Sequence, residues 1–481
     1  MPNNMMESFS NRPLPANHPL QRFLEFENSS ELLNFKTVSG LPVWPLMRLN
    51  VLFACRDEFF GVAFKNIAGR SDLRGVGQRL KRSFLSLPDI LSPWPSLPII
   101  YMSTREPAFI NGRFYDIFDQ PTAELRPDQT LYVSLGGMKH TIFQALCSAR
   151  SLEAPTNVRA ACGLFFKSLS TRRLAANFTE FLIQRLKKFN FTALASQPGR
   201  LYALIIRHLG INLSLISYFQ RFFARQKPKL LFVNNAVGGG RAAWWVFAAH
   251  QAGIETFEIQ HGTVSEANLN LNQPKAFFQD ENFQACQPKN FLAHSHFWAS
   301  FIHAPLRVHV LGAPWFNLNR RRMIDTERQA DRIIFSFGDD GTMLLEEVKT
   351  VSRAFPGRVT VRPHPLFRES FTRHIQPQLG NIQIDLSGGN DSMFSAGVVV
   401  SDFSTTAFEA AALGARTFIK NNKIVATFMA NMPLEKFSEP DELVVKINDP
   451  SAGLVEQGLS ASFFTGNWEE NYNRLVESRL L

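Results

Sequence analysis

Short apolar runs recur along this chain, separated by longer stretches whose apolar positions fall three and four residues apart. The first pattern marks a strand buried on both faces, and the second marks a helix laid across such strands. The run Leu97 to Met102, followed by the polar segment Ser103 to Pro107, reads as a strand ending in a loop. Thr130 to Ser134 reads as a second strand, closing on Gly136 and Gly137. A largely helical region is predicted from Thr141 to Arg225, carried by the spacing of Phe178, Phe181, Leu182 and Leu186. From Pro228 the pattern becomes strand (Lys229 to Val233), glycine-containing loop, helix (Arg241 to Gly253) and strand (Thr256 to Gln260). That succession is the repeating unit of a parallel sheet.

Strand Arg307 to Leu311 ends this series at Gly312-Ala313-Pro314, and the charged segment Asn319 to Arg332 reads as a linker. A second series follows: strand Ile333 to Ser336, helix Met343 to Phe355, strands Arg358 to Val361 and Gly397 to Ser401, helix Thr406 to Leu413, and strand Arg416 to Ile419. The expected fold is α/β, with two Rossmann-like domains facing a central cleft. Residues 91–315 would form the first domain with its helical insertion, and 330–460 the second. Residues 461–481 would be a helix packing back, and 1–90 a helical, basic N-terminal extension. In open parallel sheets the carboxyl ends of the strands line the cleft, so polar residues just after strands are the ones to examine.

Composition fits two domains: 481 residues, 45% hydrophobic, exceed what one ordinary core organises. The four cysteines, Cys55, Cys147, Cys162 and Cys286, include no pair at metal or redox spacing, and a reducing, cytoplasmic setting is expected. No signal-peptide pattern is expected at the N-terminus, and Leu201 to Phe223, the richest apolar stretch, reads as a buried helix because Arg207 and His208 interrupt it. An excess of 51 Lys and Arg over 41 Asp and Glu, +10 in all, favours anionic partners. The basic residues gather in Lys65 to Arg82 and Lys167 to Lys188. They read either as solvated helix faces or as a surface for peripheral contact with an anionic membrane. With no recognised DNA or RNA motif, nucleic acid is not an expected partner.

Four polar clusters follow predicted strands. Gln260-His261-Gly262-Thr263 sets an imidazole at a strand end, where it is either a capped loop residue or a general base for a substrate hydroxyl. In Arg362-Pro363-His364-Pro365 the prolines stiffen the backbone around a cation and an imidazole, which suits a phosphate leaving group but also a surface turn. Ser401-Asp402-Phe403-Ser404-Thr405-Thr406 caps a helix, and the same N-terminus is an anion site; Glu409, one turn on, is a candidate for ribose hydroxyls. Gly338-Asp339-Asp340-Gly341 is either a turn feeding a helix or a thin metal site; the Arg and His residues favour metal-independent chemistry.

The order of these motifs resembles that of the GT-B glycosyltransferases of bacterial capsule and lipopolysaccharide synthesis, including Kdo and sialic acid transferases, and of the teichoic acid glycerophosphotransferases. The similarity spans roughly residues 229–420, with an echo at Pro42 to Pro45 and Gly112 to Asp116. The resemblance implies His261 as base, His364 assisting at the donor phosphate, and Ser404 and Thr405 binding phosphate, with Gly262, Thr263 and Thr406 beside them. An Asp-Asp-Gly motif supplies the base in the sialyltransferases' first half; here Asp339 and Asp340 open the second half, which favours His261. Gln260 stands where the glycerophosphotransferases carry Trp. The expected activity is inverting transfer of a sugar from a nucleotide-activated donor, CMP-linked above all, to a glycan or glycolipid acceptor. No metal or resident cofactor is expected. A CDP-polyol phosphotransferase, a sugar-nucleotide epimerase of the same fold and a non-catalytic assembly subunit are the alternatives.

Overall fold

The computed structural model describes residues 18–60, 93–104, 108–110, 113–135, 148–165, 167–322, 328–338, 342–364, 367–387 and 391–481. The basic segment Lys65 to Arg82 and the pair Asp339 and Asp340 lie outside the described residues.

Two parallel sheets organise the chain. The first comprises β1 (Ile99–Ser103), β4 (Thr130–Ser134), β5 (Ser148–Ser151), β6 (Leu230–Val233), β7 (Glu255–Ile259), β8 (Asn290–Ala293) and β9 (Arg307–Val310), in the order β5-β4-β1-β6-β7-β8-β9. A two-stranded antiparallel ribbon, β2 (Ala108–Ile110) and β3 (Arg113–Tyr115), leaves the end of β1. The second sheet comprises β10 (Gln329–Ser336), β11 (Val359–Arg362), β12 (Gln383–Ile384), β13 (Ala396–Ser401), β14 (Arg416–Lys420) and β15 (Glu435–Phe437), in the order β12-β11-β10-β13-β14-β15. Each sheet begins in its middle, runs to one edge and then jumps back. The jump leaves a crevice at the carboxyl ends of β1 and β6 in one domain and of β10 and β13 in the other. Strands β1, β4, β6 and β13 are buried throughout, as expected for strands covered on both faces.

The N-terminal helices α1 (Pro19–Glu27) and α2 (Val43–Phe60) belong to the first domain's core. Phe23, Phe26, Trp44, Met47 and Val51 are fully buried there. A buried ion pair ties the two helices: Arg48 donates Nε–H to Glu27 Oε1 at 2.6 Å and an Nη2–H to Oε2 at 2.8 Å, while Trp44 donates to Oε1 at 3.0 Å. Arg48 also donates to the carbonyls of Leu269 and Gly238, so the N-terminal segment grips the loop after β6. That loop needs glycine at 239: its φ is +96°, and a Cβ there would overlap the carbonyl of Pro45.

Helices α3 (Glu153–Phe165), α4 (Leu169–Lys188), α5 (Pro198–Gln226) and α6 (Ala243–Gln251) cover this sheet. Helix α5 is long and apolar enough to cross a membrane by length and composition, and its Leu201, Ile205, Leu209, Leu215 and Phe219 are buried in the core. Where α3 crosses α5 the backbones touch: a Cβ on Gly163 would overlap the Gly210 carbonyl, and the reverse holds.

The stretch from Asn319 to Arg332, expected as a linker, has structure at both ends, the helix Pro314–Arg322 and the start of β10. In the second domain, α7 (Leu345–Ala354) and α8 (Thr405–Ala412) pack on the sheet. The last helix, α9 (Trp468–Leu480), returns to the first domain, where Tyr472 and Val476 join the core and Tyr101 donates its hydroxyl to Tyr472 at 2.9 Å. An apolar cluster that includes Phe297 and Trp298 from the first domain and Phe408 and Phe463 closes one side of the space between the sheets.

Candidate functional site

A cavity of about 240 Å³ opens between the two sheets at the carboxyl ends of their strands. His261 and His294, beyond β7 and β8, line its first-domain wall; Arg362 at the end of β11, His364 just after it, and Ser404, Thr405, Thr406 and Glu409, beyond β13, line the other. Residues from three of the motifs, over 140 positions apart in sequence at the extremes, thus face one space.

His261 is placed from below by a carboxylate that the sequence reading did not single out. Glu258, buried within β7, accepts hydrogen bonds on Oε2 from the backbone N–H groups of Ala236 and Val237 at 2.7 and 2.8 Å. Its Oε1 lies 3.7 Å from His261 Nδ1. The carboxylate is fixed by the loop that Arg48 holds, and its Oε1 faces the imidazole, the arrangement that stabilises a ring taking up a proton. The signal was a glutamate in the buried part of β7, shortly before His261, where Glu255 at the strand's start is only half-buried. Gln260 is buried too: it donates to the Gly262 carbonyl at 2.7 Å and accepts from the His294 N–H at 2.9 Å, fixing the turn that carries His261. Phe118 stands edge-on to the His261 ring at 6.2 Å. Gly262 and Thr263 lie on the far side of His261, lining a smaller adjoining chamber with Asn268 and Asn270.

His294 was not anticipated either. Burial pushes its imidazole down to about 4, so it is neutral near pH 7. With Trp315, Phe316 and Phe464 it makes the apolar part of the cavity wall.

On the opposite wall, Arg362 ends β11 and is buried. His364 follows it, half-buried, its imidazole held below its ordinary value by desolvation first and then by the charges of Arg362 and Arg368. Ser404 is the N-cap of α8: its Oγ accepts from the Thr406 N–H at 3.3 Å and from the Thr406 hydroxyl at 2.8 Å. Thr406 Oγ1 is also 3.0 Å from Ser336 Oγ at the end of β10. The capping and anion-site readings of this motif therefore coexist, with the first turn of α8 opening on the cavity. Burial drives the Glu409 carboxyl up to about 7, and the neighbouring Arg362 charge only partly opposes this.

Asp402 is set apart from the cavity residues. It is fully buried and its carboxylate receives the Gly338 N–H, at 2.7 and 2.9 Å, and the Phe403 N–H at 2.6 Å. It holds the two loops at the β10/β13 crevice together. Among the described residues, no group of three or more His, Cys, Asp or Glu side chains is placed to hold a metal ion.

No protein-family model matches the chain, and no curated protein matches it. Solved structures similar to it include the UDP-GlcNAc 2-epimerase of Methanocaldococcus jannaschii in complex with UDP-GlcNAc and UDP, at 10% identity and a TM-score of 0.47, covering 79% of this chain and 99% of that one. The UDP-GlcNAc 2-epimerase of Neisseria meningitidis bound to UDP-GlcNAc aligns at 12% identity and a TM-score of 0.46, covering 79% and 98%. An Anabaena protein in complex with UDP and glucose aligns at 12% identity and a TM-score of 0.40, covering 80% and 99%.

Proposed function

We propose that the protein is a cytoplasmic GT-B glycosyltransferase that moves a sugar from a nucleotide-activated donor, with CMP as leaving group, to a glycan or glycolipid acceptor of a bacterial surface polysaccharide. Transfer proceeds with inversion and without a metal ion. The supporting observation is the division of labour across one cleft: an imidazole backed by a fixed carboxylate on one wall, and a buried arginine, a second imidazole and a helix N-terminus on the other.

The acceptor hydroxyl gives its proton to His261 as its oxygen attacks the anomeric carbon. The bond from that carbon to the phosphate oxygen breaks, and the electron pair leaves with the nucleotide. Glu258 stabilises the imidazolium that forms. Arg362, the first-turn N–H groups of α8 and the hydroxyls of Ser404 and Thr405 receive the phosphate charge as it develops. His364, its imidazole held below its ordinary value by desolvation, hydrogen-bonds the same phosphate, and Glu409 accepts from the ribose hydroxyls. Asp339 and Asp340 are not needed in this scheme.

The test is to incubate the enzyme with CMP-Kdo, CMP-sialic acid, CDP-glycerol and UDP-GlcNAc and follow product release. Release of CMP from a CMP-sugar, lost by a factor of roughly 10²–10⁴ in His261→Ala, supports the reading. CMP release from CDP-glycerol would move attack to phosphorus, and isomerisation of UDP-GlcNAc without transfer would replace transfer by epimerisation. A His261→Ala variant as active as the parent would remove His261 from the chemistry.

A further inference from the structure

We infer that the exposed face of α3 and the start of α4 form a docking surface for an anionic lipid bilayer. Val158, Ala161, Cys162 and Phe165 recur at helical spacing on α3 and all are exposed, whereas Glu153, Ala154 and Gly163 are buried. The face is apolar where a surface helix is normally polar. Phe165 is 78% exposed, Leu169 at the start of α4 is 75% exposed and Val158 is 61% exposed. Phe165 and Leu169 are four positions apart, so their Cα atoms lie within roughly 14 Å of each other. The opposite side of α3 is taken, since Gly163 meets Gly210 of α5 backbone to backbone.

Charge identifies the occupant. Between Glu153 and Glu180 the sequence has no acidic residue, while Arg159, Lys167, Arg172 and Arg173 supply four cations. Arg172 and Arg173 are exposed near the start of α4, whose first turn contains no acidic residue. Apolar side chains flanked by unopposed cations match the boundary between lipid headgroups and acyl chains. Three large exposed apolar side chains, Val158, Phe165 and Leu169, fall well short of the roughly 20–30 residues a side of a stable protein interface, which argues against a second copy of the chain as the cover. A surface that holds the enzyme to a membrane would also hold its cleft near lipid-borne substrates.

The experiment is co-sedimentation of the full-length protein with vesicles of 30% phosphatidylglycerol in phosphatidylcholine, a composition of about one anionic lipid in three, and with phosphatidylcholine alone. Binding is expected to the first and not the second, weakening at high salt. Phe165→Ser with Leu169→Ser should lower partitioning by about ten-fold. Arg172→Glu with Arg173→Glu should lower it by at least about 25-fold, at roughly five-fold per cation removed. All four positions are exposed, so melting temperatures should stay unchanged, and a melt checks this. A fluorophore on Cys162, in a Cys147→Ser background, should shift to the blue on adding the anionic vesicles. The inference fails if the parent protein ignores the anionic vesicles, or if both double variants bind as it does. It also fails if the Ser variants instead dissolve a dimer seen by light scattering.

Discussion

Glu409→Gln isolates the half-buried carboxyl on the second-domain wall of the cleft. Its ordinary value of 4.5 is raised to about 7, chiefly by burial, with Arg362 pulling the other way. A raised value means that the folded state holds the proton more tightly than the unfolded chain. The associated stability is present in full below about pH 4.5 and is lost as pH climbs through about 7. The whole displacement corresponds to a ceiling of roughly 3.4 kcal/mol. Glu409 keeps partial solvent contact through the cleft mouth, so about 1–2 kcal/mol is the expected cost of its charged form at pH 8. Glutamine has the same shape and no charge to bury. The parent should therefore lose stability relative to Glu409→Gln between pH 5 and 8, opening a gap of about 3–6 °C in melting temperature for domains of this size. Scanning calorimetry of both proteins at pH 5, 6, 7 and 8 measures it. A difference that does not vary with pH would refute the argument from burial. A parent that gains on the variant as pH rises would show that Arg362 outweighs desolvation.

Glu258→Gln removes the charge that faces His261 at 3.7 Å; two unit charges at that distance interact by at most about 4.5 kcal/mol at an effective dielectric of ~20. Its kcat should fall by roughly 10²–10³ with donor KM unchanged, and a full-rate variant would dismiss Glu258 as the partner of the base. Arg48→Ala leaves Glu27 buried without its cation and should cost about 3–5 kcal/mol, read as a lower melting temperature; an unchanged melt would mean that the pair is not buried. Gly163→Ala must force α3 from α5, whereas a Cβ at Gly262 meets no atom within 4 Å. The first should melt clearly lower than the parent and the second within about 1 °C of it, on the scale where 1 kcal/mol is ~2–4 °C, and the reverse order would contradict the packing.

Much of the architecture was legible because parallel strands are short apolar runs with few competing interpretations. Thr130 to Ser134 is a strand over the whole predicted range, and the runs at 230, 255, 307, 359, 396 and 416 moved by one residue at most at their starts. β8 escaped because its Asn290 and Phe291-Leu292-Ala293 are too short to stand out, and β15 because it is three residues with two charges. The N-terminal residues were expected to be helical, as an extension, and α2 fits that expectation while α1 was not placed. Their place in the core depends on Arg48 reaching carbonyls 190 and 221 positions away, a contact no local pattern encodes. Within the site, strand-end placement brought out His261, Arg362, His364 and Ser404 together. Local sequence does not say which way a side chain turns at a strand end. Asp402, part of the motif expected to cap a helix and bind an anion, turns inward to Gly338, and Glu258, unremarked within its strand, turns toward the base.

The central claim is that the second-domain wall of the cleft holds the phosphate of a nucleotide. Melting curves of the parent and of Arg362→Met, taken with CMP, CDP, UMP, UDP, GDP and ADP, test it most directly, because a ligand bound only by the native state raises the melting temperature. The account predicts a rise for the parent with CMP, larger than with the other nucleotides, and its loss in Arg362→Met. A folded parent whose melting is unmoved by every nucleotide, or a rise that survives unchanged in Arg362→Met, would contradict it.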